Sequence, residues 1–205
     1  MIASTTASIR APIGPQGWRV LAAMALFAFG SLAIWPFMER AAHAISLPAT
    51  TFGRYQSAAT LLSALGNLAL TAVVARLPRV GPMAGALVTC GLACALLTTV
   101  TDPAIFAAAL ILYNVSWFIT YPLLLGLAYS TDTTGRLAVM TTATWLLFQS
   151  LGSLGAGVIA QVFGGYQPIG PLGLVACLFA LATVWPLATK FDRQRVSAPL
   201  LAKTG

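Results

Sequence analysis

The sequence predicts an all-α integral membrane protein: a bundle of six transmembrane helices with both termini in the cytoplasm. Three observations support this fold class. Of the 205 residues, 59% are hydrophobic and only 7% are charged, whereas a soluble domain carries about 25% charged residues. The few charges are separated by long uncharged runs, and the basic ones fall mainly in alternate loops. This composition excludes a soluble globular enzyme and a disordered chain.

Four uncharged runs each have the length of one membrane-spanning helix. They contain 19, 21, 22 and 29 residues, and a helix needs about 20 apolar residues to cross the hydrocarbon core. A fifth run of 53 residues, between Arg136 and Lys190, fits two helices because the Gly- and Pro-rich stretch 164–171 divides it. The sequence therefore predicts spans at 18–38, 53–76, 80–100, 103–129, 136–163 and 168–189.

The basic residues divide nine to two between the two sides of this arrangement. Only Arg40 and Arg54 fall on the side away from the termini. Lys and Arg are enriched in cytoplasmic loops, so both termini are expected in the cytoplasm and the protein in the inner (plasma) membrane as a multi-pass protein. The nine residues on the terminal side are Arg10, Arg19, Arg76, Arg79, Arg136, Lys190, Arg193, Arg195 and Lys203.

One membrane domain is predicted at 17–190, between a mobile N-terminal tail at 1–16 and a cytoplasmic C-terminal tail at 191–205. The pattern that ends at Ala42-His43-Ala44 resembles a signal-peptide cleavage site. The apolar run before it is longer than a typical signal peptide contains, so we expect it to remain as the first span.

The sequence contains no motif that predicts an enzyme, a metal site or a cofactor site. Cys90, Cys94 and Cys177 lie in apolar spans, where we expect them to be small packing residues. His43 is the single histidine, and the metal and nucleophile motifs HExxH, CxxC and GxSxG are missing. The basic residues form no stripe, so no nucleic-acid partner is expected. The expected partners are the lipid bilayer and a small molecule.

Polar and amphipathic aromatic residues share one helix face in the first, second, fourth and fifth predicted spans. In the second span five of them follow at steps of four, three, four and four residues, as one helix face requires. The third and sixth spans contain only Thr and Cys as polar residues in their interiors. The four sets are Ser31, Trp35 and Glu39; Gln56, Thr60, Ser63, Asn67 and Thr71; Asn114, Trp117 and Tyr121; and Thr141, Trp145 and Gln149.

This distribution predicts a shared polar cavity between the four spans, with the third and sixth spans facing lipid. Amide side chains are costly in hydrocarbon unless they face protein or a wet cavity. The alternative is that these residues hold the helices together through hydrogen bonds of about 1 kcal/mol each.

Two further features suit closely packed or broken helices. Ser153 and Gly157 are predicted to let another helix approach, and Pro36 and Pro122 to kink or open the backbone.

Three segments resemble the C-terminal six-helix half of a major facilitator superfamily transporter. Residues 34–40 (IWPFMER) are similar to the W-x-x-x-E-R segment in the seventh helix of some bacterial members. Residues 76–81 resemble the basic R-x-x-R-x-G turn after the eighth helix. Residues 121–126 and 132–136 resemble the P-x-x-x-G and D-x-x-G-R stretch after the tenth. The resemblance covers about residues 17–190, and the superfamily has twelve helices rather than six.

The resemblance implies a secondary transporter of half length, which moves a small solute by alternating access between two halves and draws on an ion gradient. The implied substrate path is Gln56, Asn67, Asn114, Trp117, Tyr121, Trp145 and Gln149. The implied coupling or gating residues are Glu39, Arg40, Arg76, Arg79, Asp132 and Arg136. Alternatively, Glu39 and Arg40 lie at the membrane interface, and the loop arginines only determine topology.

The implied partner is a second six-helix half or a second copy of the chain. Two other functions remain open from the sequence. One is a membrane scaffold or accessory subunit without a transport path. The other is a truncated transporter fragment that is inactive alone.

Overall fold

The structure is a computed structural model that describes residues 13–73 and 77–201, and within these ranges it is helical without strands. Helix α1 and the short turn after it correspond to the first predicted span, and α2 extends beyond the end of that span. Helices α3 to α7 correspond to the second to sixth. The elements are α1 (Pro15–Ala33), a 3-10 turn (Trp35–Phe37), α2 (Met38–Ala44), α3 (Ala49–Val73), α4 (Val80–Thr99), α5 (Pro103–Thr131), α6 (Arg136–Val162) and α7 (Ile169–Leu201).

Five of the described helical segments are long and apolar enough to cross a membrane: α1 with α2, α4, α5, α6 and the first 26 residues of α7. Helix α3 has 25 residues, about 37 Å at a rise of 1.5 Å per residue, which is long enough to cross but less apolar. The five apolar helices indicate a membrane-embedded protein. The predicted all-α membrane class is confirmed at this level, while the sixth span and the side of the termini stay predictions.

The first predicted span is interrupted at Pro36. Helix α1 ends at Ala33, the chain forms a 3-10 turn over Trp35–Phe37, and α2 starts at Met38. Proline has no backbone N–H and its ring clashes with the carbonyl four residues earlier, so a regular α-helix cannot pass through it unchanged. The predicted opening at Pro36 is confirmed. At Pro122, by contrast, the α5 helix is continuous.

The packing order places α3 and α6 on the two flanks of the bundle. Helix α3 packs on α5, α5 on α4, α4 on α7, α7 on α1, and α1 on α6. Helices α1 and α5 also touch each other between the flanks. The third and sixth predicted spans do have exposed apolar side chains such as Leu92 and Phe179. They also form the most extensive helix pair, α4 with α7, whose buried interface includes all three cysteines.

Glycines allow the closest helix contacts. A Cβ at Gly152 of α6 would clash with the backbone carbonyl of Phe29 in α1. Gly30 of α1 likewise lies against the backbone of Gly173 in α7. The predicted close approach at Ser153 and Gly157 is wrong, because α1 crosses α6 at Gly152 while Gly157 faces open space. Neighbouring positions on a helix point about 100° apart, so one residue decides which side chain meets the crossing helix.

One end of the bundle brings together the start of α1, the loops before α4 and α6, and the later part of α7. We call it the basic end because Arg19, Arg79, Arg136 and Lys190 lie there. Helix α7 continues to Leu201, within the predicted C-terminal tail at 191–205, which stays a prediction as a cytoplasmic segment. Helix α1 begins at Pro15, within the predicted N-terminal tail, most of which lies outside the described residues.

Candidate functional site

A cavity of about 450 Å³ lies near the middle of the bundle, between α1, α5 and α6. We call it the central cavity. All of its lining residues are uncharged, and they combine aromatic rings with amide and hydroxyl groups. Its volume lies in the range of small-molecule sites, which are about 300–1,000 Å³. The lining residues are Leu32, Trp35, Tyr113, Asn114, Trp117, Phe118, Trp145, Gln149, Ser150 and Ser153.

The Asn114 side chain is buried and has a fixed orientation in the cavity wall. Its Nδ2 donates a hydrogen bond to the Leu110 carbonyl at 2.8 Å, and its Oδ1 accepts one from Gln56 Nε2 at 3.3 Å. The second bond connects α3 to α5. Gln56 Oε1 is buried and has no hydrogen-bond partner among the described residues. The amide pair therefore both supports the wall and leaves one acceptor unused.

Three aromatic rings, those of Trp117, Tyr121 and Trp145, pack together, and the two tryptophans of this group line the cavity; we call the three rings the aromatic cluster. Trp117 and Tyr121 are one helical turn apart in α5, and their rings are nearly parallel, at 8° with centroids 6.2 Å apart. The Trp145 ring from α6 contacts both, with centroids at 6.1 Å and 5.1 Å. The Tyr121 hydroxyl lies 3.3 Å from Thr142 Oγ1, which adds a polar link to α6.

The indole Nε1 atoms of Trp117 and Trp145 are buried and have no hydrogen-bond partner in the described part of the chain. A buried donor without an acceptor costs about 1–3 kcal/mol. These two donors therefore destabilise the present arrangement relative to one in which an acceptor reaches them. Unpaired polar groups of this kind call for a specific explanation, and a bound molecule that supplies the acceptor is one.

Tyr113 is a structural residue of the site that the sequence did not single out. Its ring is fully buried, and its hydroxyl donates a hydrogen bond to the Ser31 carbonyl at 2.8 Å. Ser31 lies in the last turn of α1, where the carbonyls have lost their helical donors. Pro36 ends the helix just after Ser31 and so leaves carbonyls without helical donors. A proline in one apolar span and a tyrosine in another are therefore the sequence features that could have predicted this bond. Trp35, Phe118 and Ser153 were also absent from the predicted path, although they line the cavity.

Six of the seven predicted path residues come together at the central cavity. Asn114, Trp117, Trp145 and Gln149 line it directly, while Gln56 contacts Asn114, and Tyr121 contacts Trp117 and Trp145. Asn67 does not belong to this group. It lines a second cavity of about 490 Å³ toward the basic end, together with Arg79 and Phe191. The Asn67 Oδ1 atom is buried there without a hydrogen-bond partner among the described residues.

No protein family, curated protein or solved structure matches this chain. The likeness to the major facilitator superfamily therefore rests on the short sequence segments named above.

Arg79 joins three helices at the basic end. Its Nη1 donates to Ser130 Oγ of α5 at 2.6 Å, and its guanidinium lies 5.1 Å from the ring centroid of Phe191 in α7. In return, the Asp192 carboxylate of α7 accepts hydrogen bonds from the backbone N–H groups of Arg79 and Val80. Asp192 thus caps the N-terminus of α4 from another helix, a role that the sequence analysis missed.

Asp132 connects α5 to α6 through local hydrogen bonds. Its carboxylate accepts from the Thr134 hydroxyl at 2.6 Å, from the Thr134 N–H at 2.9 Å and from the Leu137 N–H at 3.1 Å. These bonds, the Thr134 hydroxyl first, lower the pKa of the Asp132 carboxyl, and the nearby positive charge of Arg136 contributes in the same direction. The ionised carboxylate therefore stabilises the turn that starts α6.

The remaining predicted coupling residues lie away from the central cavity. Glu39 and Arg40 are exposed in α2, at the end of the bundle opposite to the basic end, and the Arg40 guanidinium lies 5.6 Å from the Phe37 ring centroid. Arg76 lies outside the described residues. Within the described ranges, no three His, Cys, Asp or Glu side chains come together as a metal-ligand set.

Proposed function

We propose that this chain is one half of a secondary transporter of the facilitator type, which moves a small solute through the central cavity by alternating access. The observation that carries the proposal is the cavity itself, an uncharged, largely aromatic site that also contains amide and hydroxyl groups and lies near the middle of apolar helices. Polar groups are expensive at this depth in a membrane, and they commonly mark a substrate path. In secondary transporters, substrate binds near the bilayer midplane.

The break in the first span supports the same function. Trp35 lines the central cavity and also begins the 3-10 turn that separates α1 from α2. Discontinuous helices beside a substrate site are typical of transporters, because they allow the two sections of a helix to move separately. The likeness of residues 34–40, 76–81 and 121–136 to one half of a facilitator points in the same direction.

The proposal includes a partner that closes the cavity. Helices α1, α5 and α6 line it on one side, and the lining residue Ser150 is exposed. A hydroxyl at this depth is better covered by protein than by lipid. A second six-helix half, or a second copy of this chain, provides that cover and the other half of the path. The basic end then faces the cytoplasm, and an ion gradient rather than ATP drives transport.

Accessibility of the cavity from both sides of the membrane tests alternating access without knowledge of the substrate. Gln149→Cys is made in a chain whose three native cysteines are replaced by Ala, and a membrane-impermeant maleimide is applied to right-side-out and to inside-out vesicles. We expect labelling in both preparations. Leu154→Cys is the matched control, because Leu154 is exposed on another face of the same helix and is expected to face lipid.

A scaffold or an inactive fragment gives a different result. If Gln149→Cys is labelled from one side only, or from neither, in a chain that is fully inserted, the proposal is wrong and the scaffold reading is preferred. Labelling of Leu154→Cys at the same rate as Gln149→Cys would also overturn it, since the cavity would then not be a distinct aqueous site.

A further inference from the structure

We infer that the central cavity binds an uncharged aromatic solute that carries both a hydrogen-bond donor and a hydrogen-bond acceptor, as an aromatic amide does. This inference rests on the proposed binding role of the cavity and names the class of its ligand. It follows from the charge of the lining, the arrangement of the rings and the unused hydrogen-bonding groups.

The charge of the lining excludes an ion as the favoured ligand. All four acidic residues of the chain lie elsewhere: Glu39 and Asp102 are exposed toward the opposite end, and Asp132 and Asp192 bind backbone N–H groups at the basic end. The lining contains no Lys or Arg either. A charged ligand would lose its hydration without meeting a counter-charge, which a cavity inside apolar helices penalises heavily.

The ring arrangement favours a flat aromatic ligand over a cation. An aromatic cage for a cation holds its rings apart around a central space. Here the rings of Trp117, Tyr121 and Trp145 contact one another, with centroids 5.1–6.2 Å apart, so they leave no central space for a cation, and Trp117 and Trp145 present a wall to the cavity. A wall of this kind offers offset or edge contacts to another ring. Trp35 and Phe118 add further apolar surface to the same cavity.

The polar groups of the site call for a ligand with both a donor and an acceptor. The Gln149 side chain lines the cavity, and an amide can donate and accept at once. Beside it, the cavity-lining Trp117 and Trp145 each hold a buried indole N–H that has no acceptor among the described residues. Hydrogen bonds to the Leu110 carbonyl and from Gln56 hold the Asn114 amide in one orientation, so its donor and acceptor atoms have fixed positions in the cavity wall. A purely hydrocarbon ligand would leave these groups unpaired.

A charge-matched series of probes tests the ligand class. Purified protein in lipid nanodiscs is titrated by calorimetry with indole-3-acetamide, which is neutral, with indole-3-acetate, which is an anion, and with tryptamine, which is a cation. Cyclohexylacetamide keeps the amide but lacks the aromatic ring. We expect the Kd of indole-3-acetamide to be at least about tenfold lower than that of each of the other three probes.

Variants locate the binding in the central cavity. Trp145→Ala and Gln149→Leu are each expected to weaken indole-3-acetamide about tenfold or more, whereas Trp145→Phe, which keeps a ring, stays within about threefold of the parent. Trp185→Ala is the matched control, because Trp185 is an exposed tryptophan of α7 outside the cavity. Its affinity is expected to equal that of the parent. Thermal unfolding of each variant shows whether it is folded.

Three results would overturn the inference. The first is tryptamine or indole-3-acetate binding as tightly as indole-3-acetamide, since the cavity would then take an ion. The second is no loss of affinity in folded Trp145→Ala and Gln149→Leu, and the third is no binding of any probe by the folded parent. If the probes fail to bind as expected but Gln149→Cys is labelled from both sides, the transport proposal stands and the ligand belongs to another class. If indole-3-acetamide binds as expected but Gln149→Cys is not labelled from both sides, the transport proposal is wrong and the cavity remains a ligand-binding site.

Discussion

Gln56 Nε2 donates a hydrogen bond to Asn114 Oδ1 at 3.3 Å, and this bond joins the most weakly packed flank of the bundle to its centre. Helix α3 packs mainly on α5, and its leucines 61, 62, 65 and 68 are exposed. The amide pair gives this contact a polar fixed point beside the central cavity. Asn114 lines the cavity, and Gln56 of α3 is bonded to it. A movement of α3 therefore moves part of the cavity wall that a solute contacts.

Substitution of Asn114 and Gln149 by Leu separates a transport role from a structural one. If these amides orient a solute, Asn114→Leu and Gln149→Leu should each lower indole-3-acetamide uptake into proteoliposomes about tenfold while the chain still inserts. In a scaffold both changes should be tolerated, and Gln149→Leu should raise thermal stability because a polar group leaves an apolar bundle. Uptake at the parental rate in both variants would contradict the substrate path.

The Asp192 cap predicts a loss of stability from a residue near the C-terminal end of the last helix. Asp192→Ala removes the acceptor for the backbone N–H groups of Arg79 and Val80, which lie 2.7 Å and 3.1 Å from the carboxylate oxygens. The expected cost is about 1–2 kcal/mol in the free energy of unfolding, the usual value of an N-cap. Thermal unfolding in detergent measures it. Lys190→Ala, an exposed residue of the same helix, serves as the control and is expected to change little.

The lowered pKa of Asp132 predicts a pH-dependent stability. A carboxyl whose folded pKa lies below the ordinary value of 3.8 stabilises the fold above that value. The contribution falls as the pH drops through 3.8 toward the folded pKa. Asp132→Asn should therefore be less stable than the parent at pH 6, and the difference should shrink below about pH 4. Thermal unfolding between pH 3 and pH 7 tests this, and a difference that is constant across the range would contradict it.

Gly152 and Gly157 provide a matched pair for the contact between α1 and α6. A Cβ at Gly152 meets the Phe29 carbonyl, whereas a Cβ at Gly157 meets nothing within 4 Å. Gly152→Ala should lower the free energy of unfolding by about 1–3 kcal/mol, since neither backbone can retreat without repacking. Gly157→Ala should be neutral or stabilising by up to about 1 kcal/mol, because Ala favours helix. Equal effects in thermal unfolding would show that the helices do not cross at Gly152.

Much of the fold follows from the sequence because charges cannot lie in hydrocarbon. The uncharged runs fix where helices α4 to α6 begin and end to within about two residues of the predicted spans. The break at Pro36 was likewise predictable from the chemistry of the residue. The end of α7 was not, because residues 192–195 are all polar and resemble a tail, and only the structure shows that Asp192 caps α4.

The candidate site was predictable only in part: four of the predicted path residues line the cavity, whereas its other six lining residues were not in the predicted path, and the depth of each residue was not predictable. Helical periodicity placed Gln56 and Asn67 on one face, yet they are eleven residues apart, about 16 Å along the helix axis. Only the neighbouring helix decides which of the two meets Asn114, and it is Gln56.

The sequence by itself determined that this is an apolar helical protein with polar faces on four of its spans, because hydropathy and helical period are local properties. The tertiary structure alone decided that four of the seven path residues line one cavity, that Gln56 and Tyr121 contact members of this group, and that Asn67 lines another cavity. It also decided that α4 and α7 form the largest helix pair. These relationships depend on where along their lengths the helices cross one another. The crossings are set by close contacts between residues far apart in the chain, such as the contact of Gly152 with the Phe29 backbone.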